Sequence, residues 1–264
     1  MKTDYCEITG KISQIAREAG RMMRSFCDAA VHRKGGHCNF VTDADVAVQK
    51  YLQESLTALL PGSRFFAEEQ DNEPLTGEAT FVVDPIDGTM NYMRGRNASA
   101  VSIALLIDKT PVSGAVYNPY ADEMFTAAAG CGAFLNGRPI RVSENGFDDA
   151  LVTFGTSPYD QELAKRTLRA ATRFLLEAGD LRRTGSAALD LCDVACGRTD
   201  VFYELRLRPW DVAAGSLLVA EAGGCFVSLG KDAPYYDGPC GILAANPLCR
   251  ERALEIIKES ETDK

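Results

Sequence analysis

The sequence predicts a mixed, layered α/β fold, in which helices pack against the faces of β-sheets. Two observations lead to this fold class. From residue 64 to 143, short runs rich in Val, Ile, Phe and Tyr are separated by Gly, Pro and Asn, which is typical of neighbouring β-strands. Beyond residue 145, strand-like and helix-like segments alternate, as they do in layered α/β proteins.

Two amphipathic helices are predicted before the strand-rich part. The first extends from Ile8 to about Val31, because apolar residues recur there at spacings of three and four. A polar, glycine-bearing loop is expected at residues 32–37. The second helix begins near Thr42 or Asp43, both good N-cap residues, and ends at the next Pro-Gly pair.

The strand-rich part contains four clear strand candidates. They are apolar, β-branched or aromatic runs bounded by turn residues, at 81–83, 100–107, 112–117 and 123–127. Asn136-Gly137 is a tight-turn signal of the hairpin type.

The second half alternates between the two kinds of element. Strands are predicted at 151–154, 181–184 and 201–207 and near 225–229 and 242–245; helices are predicted at 161–178, 186–196, 211–222 and 248–259. The polar, turn-rich segment 143–149 separates an N-terminal α+β subdomain, residues 1–145, from a C-terminal α/β subdomain, residues 146–264, which is expected to complete the site.

Composition excludes several classes of function. The 264 residues carry a formal net charge of −9, which disfavours binding to long nucleic acid, since phosphate affinity comes mainly from Lys and Arg. The same charge disfavours anionic membranes, and no stretch approaches the ~20 apolar residues of a membrane helix. An acidic enzyme still binds an anionic substrate where metal ions reverse the local potential.

The 9 cysteines show no compact disulfide-scaffold spacing, and the first residues lack the apolar region of a signal peptide. We therefore expect reduced thiols and a cytoplasmic location. Cys192 and Cys196 lie four residues apart in a helical pattern, but only two histidines, His32 and His37, accompany them. Structural zinc is not expected.

The most informative segment is Asp84-Pro85-Ile86-Asp87-Gly88-Thr89, which follows the apolar run Phe81-Val82-Val83. It places two carboxylates at the carboxyl end of a predicted strand, where open α/β sheets bind ligands. Hard cations such as Mg²⁺ take carboxylates, carbonyls, waters and substrate phosphate as ligands. The segment therefore predicts a magnesium and phosphate site.

Two further acidic segments accompany it, Glu68-Glu69 upstream and Trp210-Asp211 downstream. Each segment alone has another explanation: Glu68-Glu69 as a solvated turn, Asp211 as the N-cap of the following helix, and Asp84-Pro85 as an ordinary turn. The metal-site interpretation rests on all three in this order.

In combination, these segments resemble the inositol monophosphatase family of Mg²⁺-dependent, Li⁺-sensitive phosphatases. The resemblance covers most of the chain and includes Glu68-Glu69, the segments 84–91 and 210–224, and further matches at 41–45, 113–119 and 130–137. It implies the stacked α-β-α-β-α sandwich of the sugar-phosphatase type, a small phosphorylated polyol or sugar as substrate, and a homodimer. The segment after Asn91 departs from the usual family version, which puts the entrance shape and the subunit contacts in doubt.

The resemblance also implies the metal ligands. Glu68, Asp84 and the Ile86 carbonyl are expected at a first Mg²⁺, and Asp84, Asp87 and Asp211 at a second. A third, weaker ion would rest mainly on Glu68, so two or three Mg²⁺ ions are expected. Paired metals activate the attacking water and neutralise the phosphoryl oxygens in many phosphatases.

Catalytic roles follow from the same resemblance. Thr89 is expected to orient and deprotonate the attacking water, and Asp45 to hydrogen-bond Thr89 and accept the proton onward; Glu68 supports the same water through its metal. An unaided Thr hydroxyl is a poor base, so Thr89 needs both Asp45 and the metal. From the residues alone, Asp45 is a carboxylate facing the dipole of a helix N-terminus.

Substrate binding is expected on both halves of the chain. By resemblance, Glu204, six residues before Trp210, accepts a substrate hydroxyl; from the residues alone it is a solvated charge near Arg206 and Arg208. Thr156 or Ser157 is a further candidate, and Lys34 either closes over the phosphate or is a mobile surface lysine. The other expected substrate-binding residues are Asp87, Gly88, Thr89, Gly185, Ser186, Ala187 and Asp211.

The sequence therefore predicts hydrolysis of a small phosphomonoester, with inositol 1-phosphate as the first candidate. Phosphatases for 3′-phosphoadenosine 5′-phosphate, fructose 1,6-bisphosphate or histidinol phosphate share the expected metal site and remain alternatives. A non-enzymatic protein that keeps the fold to bind a partner is the alternative of another class. Phosphate-binding loops of the Gly-x-x-x-x-Gly-Lys type and the Gly-x-Ser-x-Gly elbow are absent from the sequence.

Overall fold

The structure is a computed structural model that describes residues 5–26, 30–34, 40–158, 160–230, 236 and 238–262. The described helices are α1 (Tyr5–Ser25), α2 (Asp43–Leu59), α3 (Thr89–Met93), α4 (Ala164–Glu177), α5 (Ala187–Ala195), α6 (Pro209–Glu221) and α7 (Arg250–Thr262). None of them is both long and apolar enough to cross a membrane.

The strands fall into a hairpin and two larger sheets. The hairpin joins β1 (Val31–Arg33) and β2 (Phe40–Thr42). The first sheet has seven strands in the order β3 to β9: β3 (Arg64–Ala67), β4 (Thr80–Asp87), β5 (Ala100–Ile107), β6 (Thr110–Asn118), β7 (Glu123–Ala128), β8 (Gly132–Leu135) and β9 (Arg138–Pro139). The second has five strands in the order β11-β10-β12-β14-β13: β10 (Leu151–Phe154), β11 (Asp180–Arg182), β12 (Val201–Leu207), β13 (Cys225–Leu229) and β14 (Cys240–Ala245).

The seven-stranded sheet is covered by helices on both faces, as the alternation along β5 shows. Val101, Ile103 and Leu105 are buried in a core with α1 and α2. Ala104 and Leu106 point to the opposite face and are buried in a second core with α5 and α6. Successive side chains of a strand point to opposite faces, so this strand is buried on both.

The five-stranded sheet repeats this arrangement, and β12 shows it. Phe202 joins the core shared with α5 and α6, whereas Val201 and Tyr203 pack with α4 and α7. The chain therefore forms the layers α1/α2, seven-stranded sheet, α5/α6, five-stranded sheet and α4/α7. This confirms the predicted stacked α-β-α-β-α sandwich and places α5 and α6 between the sheets.

Most predicted elements are present close to their expected positions. The strands 100–107, 151–154, 201–207 and 225–229 have the predicted bounds. Thr42 is the N-cap of α2, and its hydroxyl accepts a hydrogen bond from the Asp45 N–H. Asn136 and Gly137 both have positive φ, at 50° and 76°, as a two-residue hairpin turn of the primed type requires.

The prediction around residues 26–37 is wrong in part. Helix α1 ends at Ser25 rather than near Val31, and Val31–Arg33, expected as the end of the helix and the start of a loop, pairs antiparallel with Phe40–Thr42. β-Sheet pairing with a distant segment outweighed the local helical pattern. The remainder of the predicted loop, residues 35–37, lies outside the described residues.

The expectation of reduced thiols is wrong for one pair, because Cys6 and Cys131 form a disulfide across a sequence separation of 125 residues. The disulfide joins the start of α1 to the turn between β7 and β8. Glu221, at the end of α6, accepts the N–H groups of Gly130 and Gly132 in the same turn, each at 2.8 Å. This turn therefore connects an outer helix to the central helical layer.

Candidate active site

A cavity of about 1030 Å³ opens where the ends of the two sheets and the central helical layer meet. Its wall includes nearly all the predicted site residues: Glu68, Asp84, Asp87, Gly88, Thr89, Gly185, Ser186, Ala187, Glu204 and Asp211. The two exceptions are Asp45 and Ile86. Segments separated by more than a hundred residues therefore converge as expected.

Three carboxylates form the centre of the cavity wall. Asp84, Asp87 and Asp211 each offer an oxygen, and the three oxygens lie within 4.8 Å of one another. Residues three apart on a regular strand point to opposite faces, but β4 has an irregularity between Asp84 and Asp87 in its pairing with β5. A bulge of this kind re-aims side chains, so it explains how both carboxylates reach one site.

Each of the three carboxylates has one oxygen held by protein donors. Asp84 Oδ1 accepts the Ile86 N–H at 3.0 Å, and Asp211 Oδ2 accepts the Arg208 N–H at 2.6 Å. Asp87 Oδ2 accepts the Ser186 hydroxyl in a short hydrogen bond.

The first turn of α5 adds the Ala188 N–H to Asp87 Oδ2 at 3.1 Å. These bonds fix the orientation of the carboxylates and leave the second oxygen of each available to a cation.

Burial and mutual repulsion disfavour the ionised forms of these carboxylates. Burial is the main cause that raises the pKa of Asp84 well above its ordinary value, and Glu68 and Asp87 raise it further. The pKa of Asp211 is raised for the same reasons. Burial also raises the pKa of Asp87 to about 6, against the hydrogen bonds from Ser186 and Ala188. A divalent cation would relieve this repulsion, and an all-oxygen donor set suits Mg²⁺.

Glu68 lies beside this centre rather than within it. It raises the pKa of Asp84 through its charge, and its Oε1 is 3.2 Å from the Lys34 ammonium. Lys34 also forms a close ion pair with Glu69. Lys34 is therefore paired with both glutamates and is not a free surface lysine. Burial raises the pKa of Glu69 to about 7.

The expected hydrogen bond between Asp45 and Thr89 is not formed. The Thr89 hydroxyl donates to the Ile86 carbonyl at 3.3 Å, and Asp45 Oδ2 accepts from the Thr42 N–H at 2.8 Å and from the Thr42 hydroxyl. Asp45 thus has the helix N-terminal position that its residue pattern alone predicts.

Two features nevertheless connect Asp45 to the site. Its Oδ1 is buried without a hydrogen-bond partner, and its charge raises the pKa of Asp84. Its own pKa is raised to about 6, mainly by burial. Thr89 begins the short helix α3 after Gly88, which has φ +86°.

Another part of the cavity wall is built by β12 and the segment after β10. Glu204 is buried there, and its Oε1 accepts the Ser157 N–H at 2.8 Å and the Ser157 hydroxyl at 3.1 Å. Burial raises the pKa of Glu204 to about 7. Glu204 is thus not the solvated charge that its neighbours Arg206 and Arg208 suggested.

Two contacts of this region had no sequence signal. The hydrogen bonds between Ser157 and Glu204 join residues 47 positions apart. Buried Asp190 accepts the Thr184 hydroxyl at 2.6 Å and supports the loop that precedes Ser186. Ser186 directs its hydroxyl at Asp87. The contact between Ser157 and Glu204 depends on the pairing of β10 with β12, which no local pattern encodes.

The raised pKa values predict an unusual pH dependence of stability. In the absence of divalent cations, the folded state holds protons more tightly than the unfolded chain at Asp45, Asp87, Glu69 and Glu204. Stability should therefore fall as pH rises from about 4, the ordinary carboxyl pKa, to about 7. Mg²⁺ should raise the melting temperature more at about pH 8 than at about pH 6, because protons compete for its ligands.

Thermal melting in EDTA and in Mg²⁺ at both pH values measures this effect. NaCl at matched ionic strength controls for screening. An equal Mg²⁺ increment at the two pH values would contradict the prediction.

Comparison with known proteins supports the family resemblance of the motifs, and the similarity extends over nearly the whole chain. The model of the inositol monophosphatase family matches residues 4–262. Inositol monophosphatase 2 of Solanum lycopersicum is 43% identical over 259 residues, covering 94% of this chain and 97% of the relative. Nus factor SuhB of Xylella fastidiosa is 40% identical over 231 residues, covering 84% and 82%.

Solved structures agree with the fold. The extragenic suppressor protein suhB from Bartonella henselae superposes with a TM-score of 0.86 at 32% identity. The match covers 98% of this chain and 100% of the other.

Proposed function

This chain belongs to the inositol monophosphatase family, and from that premise we propose that it hydrolyses inositol 1-phosphate to inositol and phosphate. Membership makes the chain a metal-dependent phosphoric monoester hydrolase. The observation that carries the substrate proposal is Glu204, a buried carboxylate on the wall of the same cavity as the acidic centre. A carboxylate accepts hydrogen bonds from the hydroxyls of a polyol and repels a second phosphate placed against it.

We propose two or three Mg²⁺ ions at the acidic centre, held by Glu68, Asp84, Asp87, Asp211 and the Ile86 carbonyl. The convergence of three carboxylates within 4.8 Å supports this assignment. When bound, Mg²⁺ neutralises phosphoryl oxygens and lowers the pKa of water. Ser186 and the N-terminus of α5 hold Asp87, and the Arg208 N–H holds Asp211, so the ligands are oriented by the protein itself.

The remaining roles are proposed for the residues around this centre. Thr89 is proposed to orient the attacking water, and its hydroxyl, which donates to the Ile86 carbonyl, must rotate to do so. Asp45 would then accept the proton through Oδ1, which has no other partner. Gly88, Gly185 and Ala187 line the same cavity and are proposed to contact the substrate.

A homodimer and a cytoplasmic location remain proposals that rest on the family resemblance and on the sequence. The Cys6–Cys131 disulfide weighs against the second of these, because disulfides are rare in the cytosol.

A panel of phosphate-release assays tests the substrate. With Mg²⁺ present, we expect inositol 1-phosphate to give the highest kcat/KM among itself, fructose 1,6-bisphosphate, 3′-phosphoadenosine 5′-phosphate and histidinol phosphate. Replacing Glu204 by Ala should change the order of preference more than it changes kcat on a generic phosphoester. A uniform loss across all substrates would remove the specificity role of Glu204.

The panel also separates the enzyme from the partner-binding alternative. The relative from Xylella fastidiosa is named a Nus factor, which is the observation that keeps this second function in view for our chain. Absence of Mg²⁺-dependent phosphate release with every substrate of the panel would favour it.

A further inference from the structure

The carboxylate of Glu204 lies in a space that exists because residue 155 has no side chain. A Cβ atom built on Gly155 would lie 1.7 Å from Glu204 Oε2 and 2.0 Å from its Cδ. The backbone does not require glycine here, since the φ of Gly155 is outside the left-handed region. Its N–H donates to the Tyr203 carbonyl at 3.0 Å and continues the sheet. Glycine at position 155 is therefore required to leave space for the Glu204 carboxylate, and not by the backbone conformation.

Ser157, two residues later, holds the other oxygen of the same carboxylate. It is buried and has φ +41°, a left-handed conformation that non-glycine residues rarely adopt. In that conformation its N–H and its hydroxyl both reach Glu204 Oε1, at 2.8 and 3.1 Å. Strained backbone of this kind persists where the surroundings hold it and is concentrated at functional sites.

Further contacts with β12 are made by Ser157 and by Asp160, three residues later. Asp160 forms an ion pair with Arg206, with 2.7 Å between Oδ2 and Nη1. The Ser157 hydroxyl also lies 3.2 Å from the Arg206 carbonyl, to which it donates alternatively. Ser157 and Asp160 are thus both fixed relative to β12.

The result is a carboxylate with one oxygen held and one oxygen open. Oε1 takes both Ser157 donors, whereas Oε2 has no hydrogen-bond partner among the described residues. Both Gly155 and Glu204 line the cavity. Oε2 is not among the buried atoms that lack a partner, so it is open to the cavity, where a donor from a ligand can reach it.

We propose that Gly155 and Ser157 are positioning residues for substrate specificity, which together hold Glu204 so that its open oxygen accepts a hydroxyl of the substrate alcohol. This inference rests on the proposed function and extends it to the substrate class: a phosphomonoester of a ring polyol with a free hydroxyl that reaches Glu204. Esters of alcohols without further hydroxyls do not use this contact.

Gly155→Ala isolates the positioning effect. The added methyl group collides with the end of a flexible side chain, so the Glu204 carboxylate moves while the fold is kept. Gly146→Ala is the matched control, because a Cβ at Gly146 meets nothing within 4 Å and the residue has φ −74°.

The experiment measures kcat/KM for inositol 1-phosphate and for cyclohexyl phosphate, whose ring carries no further hydroxyl. The assays are run at about pH 8, because Glu204 has a pKa of about 7 and is ionised at that pH. We expect Gly155→Ala to lower the ratio of kcat/KM for inositol 1-phosphate to kcat/KM for cyclohexyl phosphate by ~10-fold or more, as loss of a hydrogen bond to a charged group does. Glu204→Ala should lower this ratio by a similar factor. The double variant should lower the ratio no further than either single variant does. Gly146→Ala should leave both kcat/KM values unchanged.

The outcomes separate this inference from the proposed function. If Glu204→Ala lowers the ratio and Gly155→Ala does not, or if Gly155→Ala lowers both values equally, the positioning role is overturned and the proposed function stands. If Glu204→Ala leaves the ratio unchanged, the substrate role of Glu204 itself fails. Should Gly155→Ala not fold, Ser157→Ala decides, since an unchanged ratio in that variant overturns the proposal.

Discussion

Replacing Asp84 by Asn should lower kcat for phosphate release by more than about 100-fold while the chain stays folded. Loss of an outer partner of a metal ligand already costs about 10- to 100-fold in metal affinity or activity, and Asp84 belongs to the central group of three carboxylates. The substitution removes one charge from a buried, mutually repelling set. The variant in EDTA should therefore melt at or above the wild-type temperature at about pH 8.

Two measurements accompany the kinetics of this variant. Calorimetric titration with Mg²⁺ should show weakened binding, and the increase in melting temperature that Mg²⁺ gives the wild type should largely disappear. Asp148→Asn, at an exposed residue of a 3₁₀ turn, is the control. It should retain Mg²⁺ binding and the increase in melting temperature that Mg²⁺ gives. Near-wild-type kcat in Asp84→Asn would exclude Asp84 as a metal ligand.

Removing the Cys6–Cys131 disulfide is expected to give the second large effect. Cys6→Ser should lower the free energy of unfolding by about 2–4 kcal/mol, because the bond closes a long loop in the unfolded chain. The fold should survive, since Glu221 still accepts the two N–H groups of the turn that contains Cys131. Guanidinium denaturation measures the change.

The matched variants make this prediction specific. Cys131→Ser should cost as much as Cys6→Ser, and the double variant no more than either, because one bond is lost in each case. Cys225→Ser, at a free cysteine, is the control for the substitution itself. Equal stability of Cys6→Ser and the wild type would show that the disulfide does not contribute.

Local patterns were sufficient for most of the fold. Strand β12 has its predicted bounds because a nearly continuous run of large apolar residues suits a strand that is covered on both faces. Helix α2 begins at Asp43 because Thr42 and Asp45 form a capping box, a purely local interaction. The end of α1 and the hairpin of β1 and β2 were missed, because the pairing of Val31 with Thr42 competes with the helical pattern.

The acidic centre was predictable for a different reason. Asp84, Asp87 and Asp211 occur in segments whose combination resembles one family, so they could be grouped without geometry; their role as metal ligands, and that of Glu68, stays a prediction. The Asp45–Thr89 hydrogen bond was inferred in the same way, and the structure does not form it, because the Asp45 carboxylate instead bonds Thr42.

The sequence by itself determined the layered fold, the acidic motif and the family, because hydrophobic periodicity, capping and motif order depend only on the order and spacing of residues along the chain. Only the tertiary structure decided that Ser186 holds Asp87, that Lys34 pairs with Glu68 and Glu69, and that Gly155 leaves room for Glu204. These contacts join residues tens of positions apart, and their distances are set by how strands pair and how the layers pack. The substrate specificity that we propose depends on this second kind of information.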